Sequence, residues 1–278
     1  MTDDIAFIGG GNMARAIACG LVASGLPQSR LRIAEPNASA RDALAADLPG
    51  ARIDADNDAI AAGAATLVLA VKPQVLPYVC HGLAATVQAE RPLVVSIAAG
   101  VRCGDIDAWL GGGLAIVRVM PNQPALLRQG VTGVYGNPRT GAAELERATA
   151  ILAAVGKVVV VAEERDLDTV TAVSGSGPAY FYLLTDVLSK AAVELGIDAA
   201  AARTLAVETL VGAAALAGHT DESMDTLIAR VRSPGGTTAA ALDFLEQRDA
   251  RAIFAAAIRA ARYRAEQLAD QAHESAAD

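Results

Sequence analysis

The stretch IAFIGGGNMARAI, beginning at Ile5, constrains this chain more than any other segment. An apolar run leads straight into Gly9, Gly10 and Gly11, and Met13, Ile17 and Leu21 then recur at helical spacing. Gly9, Gly11 and Ala14 spell G-x-G-x-x-A at the junction of a first strand and a first helix. Glycine permits the tight turn and lets backbone N–H groups approach a pyrophosphate, while a small third residue lets the helix pack on the strand. The segment predicts dinucleotide binding at the opening of an α/β fold, against the plainer reading of a tight turn alone.

The same pattern continues through the first half of the chain. Most of the strand-like apolar runs at 5–8, 31–34, 66–71, 93–97, 115–119 and 158–161 lack polar alternation, as strands covered on both faces do. Helix-like stretches such as 13–24, 38–47 and 142–155 lie between them. This β-α-β-α rhythm predicts a doubly wound parallel sheet of the Rossmann type. It stops near Ala162. Beyond that point only helix-period segments occur, at 180–195, 199–217, 224–231, 237–247 and 250–271. The expected organisation is a dinucleotide-binding domain over residues 1–162, then an all-α domain over 163–278.

Composition narrows the partners. Hydrophobic residues make up 53% of the chain, yet Arg251, Arg259, Arg262 and Arg264 interrupt the Ala-rich C-terminal region, so no membrane span is expected. The surplus apolar surface is expected at an interface between copies of the chain. A net charge of −8 argues against nucleic acid as a main partner. The start MTDDIAFIGG carries acids where a secretory signal needs positive charge, so a cytoplasmic protein is expected. Cys19, Cys80 and Cys103 are widely spaced, and His81, His219 and His273 are scattered, which suggests neither a disulfide framework nor a metal site.

The ends of the expected strands carry the candidate site. Glu35 closes the second strand, where an acid bonds the adenine-ribose hydroxyls of NAD, and so leans toward NADH. Arg41 reads either as a partner for a 2′-phosphate or as a solvated helix residue. Lys72, in AVKP, either faces the cofactor crevice from a strand end or is a surface lysine. SIAAG at 96–100 and MPNQP at 120–124 end the next two strands in small, proline-bounded or amide-bearing loops. Three such loops in succession read as the walls of a nicotinamide pocket.

Two segments of the helical half stand out. VSGSGPAYFY at 173–182 sets two Ser-Gly pairs ahead of Pro178. Ser176 is a candidate N-cap there, and the surplus glycine suggests backbone close to a ligand or to another subunit. SPGGTT at 233–238 breaks an Ala-rich helical region: Ser233-Pro234 ends one helix, Gly235-Gly236 bares the backbone, and Thr237-Thr238 opens the next. Free N–H groups at such an entrance make an anion site without any arginine, although Arg230 and Arg232 stand close by in sequence.

Taken in order, FIGGGNMARAI, AVKP, AAGV, MPNQPALLRQG, SGSGPAY and SPGGTT resemble the pyrroline-5-carboxylate reductase family, over nearly the whole chain from Ile5 to about Gln267. The resemblance implies a Rossmann-type N-terminal domain and an all-helical C-terminal domain that intertwines with a second subunit, in dimers that can assemble into larger rings. It implies reduction of 1-pyrroline-5-carboxylate to L-proline by NADPH or NADH, the last step of proline biosynthesis. The cofactor would lie along Gly9, Gly11, Asn12, Met13, Glu35 and Asn57, then Ala70, Lys72 and Pro73, with Ala98, Met120 and Asn122 completing its site. Ser233, Gly235, Gly236, Thr237 and Thr238 would bind the substrate. Its carboxylate would rest on the backbone around Gly236, Thr237 and Thr238, and its ring nitrogen would meet the Thr238 hydroxyl. Glu35-Pro36-Asn37 departs from members that carry small hydroxyl residues or an Asn-Arg pair at the 2′-phosphate pocket.

Other readings compete. A β-hydroxyacid dehydrogenase of similar plan needs a lysine four residues after the last glycine of its first interdomain helix; after Gly177 that position is Phe181, and Lys190 lies further along. Reduction of another cyclic imine is a further alternative. A chain that senses NAD(P)H without turnover has no reason to keep an anion site at SPGGTT.

Overall fold

The computed structural model describes residues 4–274. Among them, eight strands form one sheet: β1 (Ile5–Ile8), β2 (Leu31–Ala34), β3 (Arg52–Asp54), β4 (Thr66–Leu69), β5 (Leu93–Ser96), β6 (Ile116–Met120), β7 (Gly130–Gly136) and β8 (Gly156–Val160). Their spatial order is β3-β2-β1-β4-β5-β6-β7-β8, and every neighbouring pair is parallel except β6 and β7. Six helices follow in the sheet region: α1 (Asn12–Ala23), α2 (Ala38–Asp47), α3 (Asn57–Ala61), α4 (Leu76–Glu90), α5 (Cys103–Trp109) and α6 (Ala142–Ala153).

Strand alternation divides the apolar residues between two cores. Ile5 and Phe7 of β1 enter one core with Ile17 and Leu21 of α1, Leu44 of α2 and Ile151 of α6. Ala6 and Ile8 enter the other with Ile60 of α3, Leu83 of α4 and Ile106 of α5. Burial of each such Leu, Ile or Phe is worth about 1.5–3 kcal/mol, so a sheet covered on both faces is the stable outcome of these Val-, Ile- and Leu-rich runs.

The doubly wound parallel sheet is as the sequence predicts, with two strands that the sequence reading lacks and one antiparallel pair. β3 is three residues long at the sheet edge, with Arg52 and Asp54 exposed, too short and polar to register as an apolar run. β7 reads GVTGVYG, and its glycines interrupt the strand signal. Gly133 is required by packing, because a Cβ there would fall 2.7 Å from the side chain of Val170. β7 runs antiparallel to β6 because only the 3-10 turn Gln123–Leu127 separates them, which leaves no room for a crossover helix.

After β8 the chain forms α7 (Asp166–Val170), a π-turn (Thr171–Gly175) and α8 (Gly177–Glu194). Ser176 is helical, at φ −83° and ψ −21°, and its N–H bonds the carbonyl of Thr171, so it continues the turn rather than capping a new helix. By contact, the chain divides into two compact units. The first takes in the sheet and the chain through Ser176, together with the chain from Ala261 onward. The second spans Gly177–Ala260. The boundary read at residue 162 thus precedes α7 and the π-turn, which stay with the sheet unit.

The second unit contains α8, α9 (Ala199–Gly218), α10 (Met224–Val231), α11 (Thr237–Glu246) and the start of α12 (Ala250–Glu274). Asp198 and Ser223 cap α9 and α10. Contrary to the sequence reading, α9 is long and apolar enough to cross a membrane by length and composition. Phe181, Tyr182, Leu183, Val187 and Leu188 of α8 are exposed within one chain, as is Leu216 of α9.

A buried ion network fastens α7 to the sheet. Arg102 meets Asp168 at 2.6 Å, while Arg118 on β6 lies 3.3 Å from Glu164 and 3.8 Å from Asp168. Asp168 is 1% exposed and Arg118 3%. Asp168→Ala would leave Arg102 without its carboxylate and buried Arg118 with Glu164 alone, at a cost of up to about 3–5 kcal/mol. The expected result is a much lower urea midpoint at fixed protomer concentration; an unchanged midpoint would show that solvent compensates for the lost carboxylate.

Candidate active site

Parallel β1, β4, β5 and β6 are neighbours, so the loops at their C-terminal ends emerge in order along one edge of the sheet. β2 and β3 extend the same edge in the opposite direction. The order reverses beside β1, which is where open α/β sheets form their binding crevice. Gly9, Gly11, Asn12 and Met13 stand at the centre, with Glu35 and Asn57 on one side. Ala70, Lys72, Pro73, Ala98, Met120 and Asn122 follow on the other.

Each glycine of the first loop has its own reason. Gly9 sits at φ +99°, and a Cβ would approach the Ala70 carbonyl oxygen to 2.7 Å. Gly10 is packed just as closely, with a Cβ 2.5 Å from Leu44. Gly11 differs: it caps α1 at φ −65°, and no protein atom lies within 4 Å of an added Cβ. Gly11 has no side-chain cap, and the first turn of α1 holds no acid. The entrance of α1 therefore presents free N–H groups and the positive end of its dipole to an open surface, a cradle suited to a pyrophosphate.

Glu35 is fixed at the end of β2. Its carboxylate accepts from the Gly10 N–H and from the Asn37 N–H, each at 3.0 Å. Asn37 caps α2 by accepting from Ala40. Arg41 donates to the carbonyls of Glu35 and Pro36 at 2.9 and 2.8 Å, so it holds this corner together. Asn57, half-buried, opens α3 just beyond β3.

On the other side of the crevice, β4 ends at Leu69, and Lys72 is exposed ahead of the short helical turn that begins at Pro73. Ala98 is buried beyond β5, its N–H on the Ser96 hydroxyl at 3.3 Å. Met120 is half-buried at the end of β6. The Asn122 amide is used within the protein: it donates to the Ser174 carbonyl at 3.1 Å and accepts from the Val131 N–H at 2.9 Å. Burial pushes the Cys80 thiol up to about 12 and raises Cys103 as well, so neither is a ready nucleophile.

The second candidate group lies in the helical unit. Pro234 and Gly235, at φ +68°, form the centre of a turn closed by the Gly236 N–H on the Ser233 carbonyl at 3.0 Å. A positive φ after proline is the pattern of a type II turn. Gly236 then starts α11 without a side-chain cap, and its first turn carries no acid. Thr237 is exposed and Thr238 half-buried. Arg230 pairs with Glu222, and Arg232 reaches both Asp243 and Glu246, so the turn offers backbone N–H groups rather than guanidinium to an anion.

Sequence reasoning missed the residues behind these loops. Arg118 and Asp168 show in sequence only as an arginine inside an apolar strand and an acid in a polar turn. Gly175 admits Met120, since a Cβ there would lie 2.7 Å from the Met120 methyl. The doubled Ser-Gly was the one available signal of that close approach.

Fold and edge together define a dinucleotide-dependent oxidoreductase of the Rossmann type with an added helical domain. A family model for NADP oxidoreductases, coenzyme F420-dependent, matches residues 4–100, and one for pyrroline-5-carboxylate reductase dimerisation matches 164–268. Pyrroline-5-carboxylate reductase of Pseudomonas aeruginosa is 42% identical over 270 residues, 97% of this chain and 98% of its own. The solved structure of a pyrroline-5-carboxylate reductase from Coxiella burnetii matches with TM-score 0.92 at 39% identity, covering 96% of this chain and 99% of that one. That of Plasmodium falciparum pyrroline carboxylate reductase, with NADP bound, matches with TM-score 0.83 at 25% identity, over 96% and 98%. The chain belongs to the pyrroline-5-carboxylate reductase family.

The glycine geometry separates stability from binding. Gly11→Ala fits its backbone and should change stability by no more than about 0.5 kcal/mol. It should still weaken NADH or NADPH binding about tenfold, by filling the cradle. Gly9→Ala should destabilise by about 1–3 kcal/mol through its left-handed backbone alone. Thermal melts and cofactor fluorescence titrations read the two effects. Wild-type affinity in Gly11→Ala would remove the α1 entrance from the cofactor site.

Proposed function

We propose that this chain reduces 1-pyrroline-5-carboxylate to L-proline with NADH or NADPH, and that the anion seat at 233–238 receives the substrate carboxylate. The observation that carries this reading is the bare entrance of α11, uncapped and free of acid, with Thr238 half-buried in its first turn. A carboxylate there would gain charge-assisted hydrogen bonds from backbone N–H groups that need no rearrangement. Thr238 would then stand beside the ring nitrogen. A hydroxyl both donates and accepts, so it serves a neutral imine and a protonated one alike. Protonated substrate needs little further activation, and the chain's task is orientation. Gly9, Gly11, Asn12 and Met13 would hold the pyrophosphate, and Glu35 and Asn57 the adenosine end. Ala70, Lys72, Pro73, Ala98 and Met120 would line the nicotinamide side, on the wall that Asn122 ends. When bound, the reduced nicotinamide supplies the hydride.

In this reading residues 1–162 carry the cofactor, while 163–278 carry the substrate seat and the dimer contact. The exposed apolar side chains of α8 and α9 fall within the segment matched to the dimerisation model. Their burial against a second copy would answer the apolar surplus and the exposed length of α9. A homodimer working in the cytoplasm, alone or within a larger ring, is the arrangement proposed.

Thr238→Ala should lower kcat by about a hundredfold or more, the loss of one hydrogen bond made at the reacting centre, while NADH affinity stays within about twofold. Unchanged steady-state kinetics with pyrroline-5-carboxylate would remove Thr238 from the site.

Glu35 supplies a second test. A carboxylate held by two backbone N–H groups at the end of β2 opposes a 2′-phosphate, which favours NADH. Glu35→Ser should raise the ratio of kcat/KM for NADPH over NADH about tenfold, equivalent to about 1.4 kcal/mol. No change in that ratio would mean the ribose lies elsewhere.

A further inference from the structure

We propose that the π-turn Thr171–Gly175 sets the position of the wall formed by residues 120–122, with Asn122 acting as a positioning residue rather than a direct cofactor contact. The proposal rests on the reading that this wall faces the nicotinamide.

The argument starts at Pro178. In an α-helix the Ser174 carbonyl would accept the N–H of residue 178, but proline has none. A carbonyl partly withdrawn from water needs a partner, and Asn122 supplies one at 3.1 Å from the end of β6. The other end of the same amide accepts the Val131 N–H, at the start of β7. Asn122 is only 8% exposed, and turning it toward a ligand would break both of its part-buried hydrogen bonds.

A second contact tightens the same junction. Met120 packs on the bare backbone of Gly175, where a Cβ would intrude to 2.7 Å. The π-turn itself is stabilised from within. The Thr171 hydroxyl donates to the Leu167 carbonyl at 2.7 Å, and the Ser174 hydroxyl donates to the Val170 carbonyl at 2.9 Å. Just upstream, Asp168 ties α7 to Arg118 of β6. One helical stretch therefore braces β6 at Arg118, Met120 and Asn122. Such π-turns are often retained where a helix must place a group that a regular ladder would misplace.

Two variants of the full-length protein test this, each read by kcat, NADH binding and ADP-ribose binding. ADP-ribose lacks the nicotinamide and so reports on the rest of the cofactor site alone. Asn122→Asp keeps the acceptor for Val131 but sets a carboxylate against the Ser174 carbonyl. Gly175→Ala displaces Met120, because its Cβ would fall 2.7 Å from the Met120 methyl. Both should lower kcat about thirtyfold or more and weaken NADH, with ADP-ribose affinity within about twofold of wild type, and the double variant should lose less than the product of the two. Wild-type kcat in either folded variant would overturn the proposal. So would a parallel loss of ADP-ribose binding, which marks general destabilisation. If the wild-type chain oxidised neither NADH nor NADPH with pyrroline-5-carboxylate, the reading of the edge would fall and this proposal with it, and that outcome shows before any variant is made.

Discussion

The close approach of Gly9 to the Ala70 carbonyl is the constraint on which the rest of the cofactor edge depends. It brings the chain leaving β1 hard against the end of β4, at φ +99°, where a side chain has no room. From there α1 starts directly over the sheet, packed by Ile17 and Leu21 into the core that β1 also enters. Were this turn looser, the N–H groups of the α1 entrance would lie away from the reversal of strand order beside β1. Glu35 adds to the same joint by accepting the Gly10 N–H, which ties β2 to the glycine loop. Packing, backbone conformation and one carboxylate thus converge on a few residues.

Both candidate anion seats use the same physics, and neither uses an arginine from its own turn. Gly11 and Gly236 each cap a helix without a side chain, and neither helix has an acid in its first turn. In each case the ligand itself would complete the cap. Nearby arginines are occupied elsewhere: Arg41 holds two carbonyls, and Arg232 links the end of α10 to Asp243 and Glu246 of α11. A seat made of backbone is set when the helix folds and loses no side-chain entropy on binding.

What was legible in the sequence follows from that economy. Glycine before a helix, a missing cap and a missing acid are local features, so both seats could be read from a few consecutive residues. The buried strands β1, β4, β5 and β6 were legible because each run is predominantly apolar, with Arg118 the one charge among them. β7 was not, because Gly130, Gly133 and Gly136 serve close packing that local pattern does not reveal; Gly133 answers to Val170, far along the chain. The helix at α9 was legible, but its continuous apolar character was not, because the arginines that interrupt the C-terminal region all lie beyond it, in α12.

Asn122 marks the limit between the two kinds of signal. That the Ser174 carbonyl lacks its helical donor can be read from Pro178 alone, as a chemical vacancy in the sequence. Which group fills it cannot, because the answer lies 52 residues away, on a loop placed by the whole sheet. The sequence motif around Asn122 therefore suggested a residue turned toward a ligand, whereas its amide is bonded at both ends inside the protein. A polar residue in a pocket-lining motif is as easily the brace behind the wall as the surface of it, and only the accounting of its hydrogen bonds tells them apart.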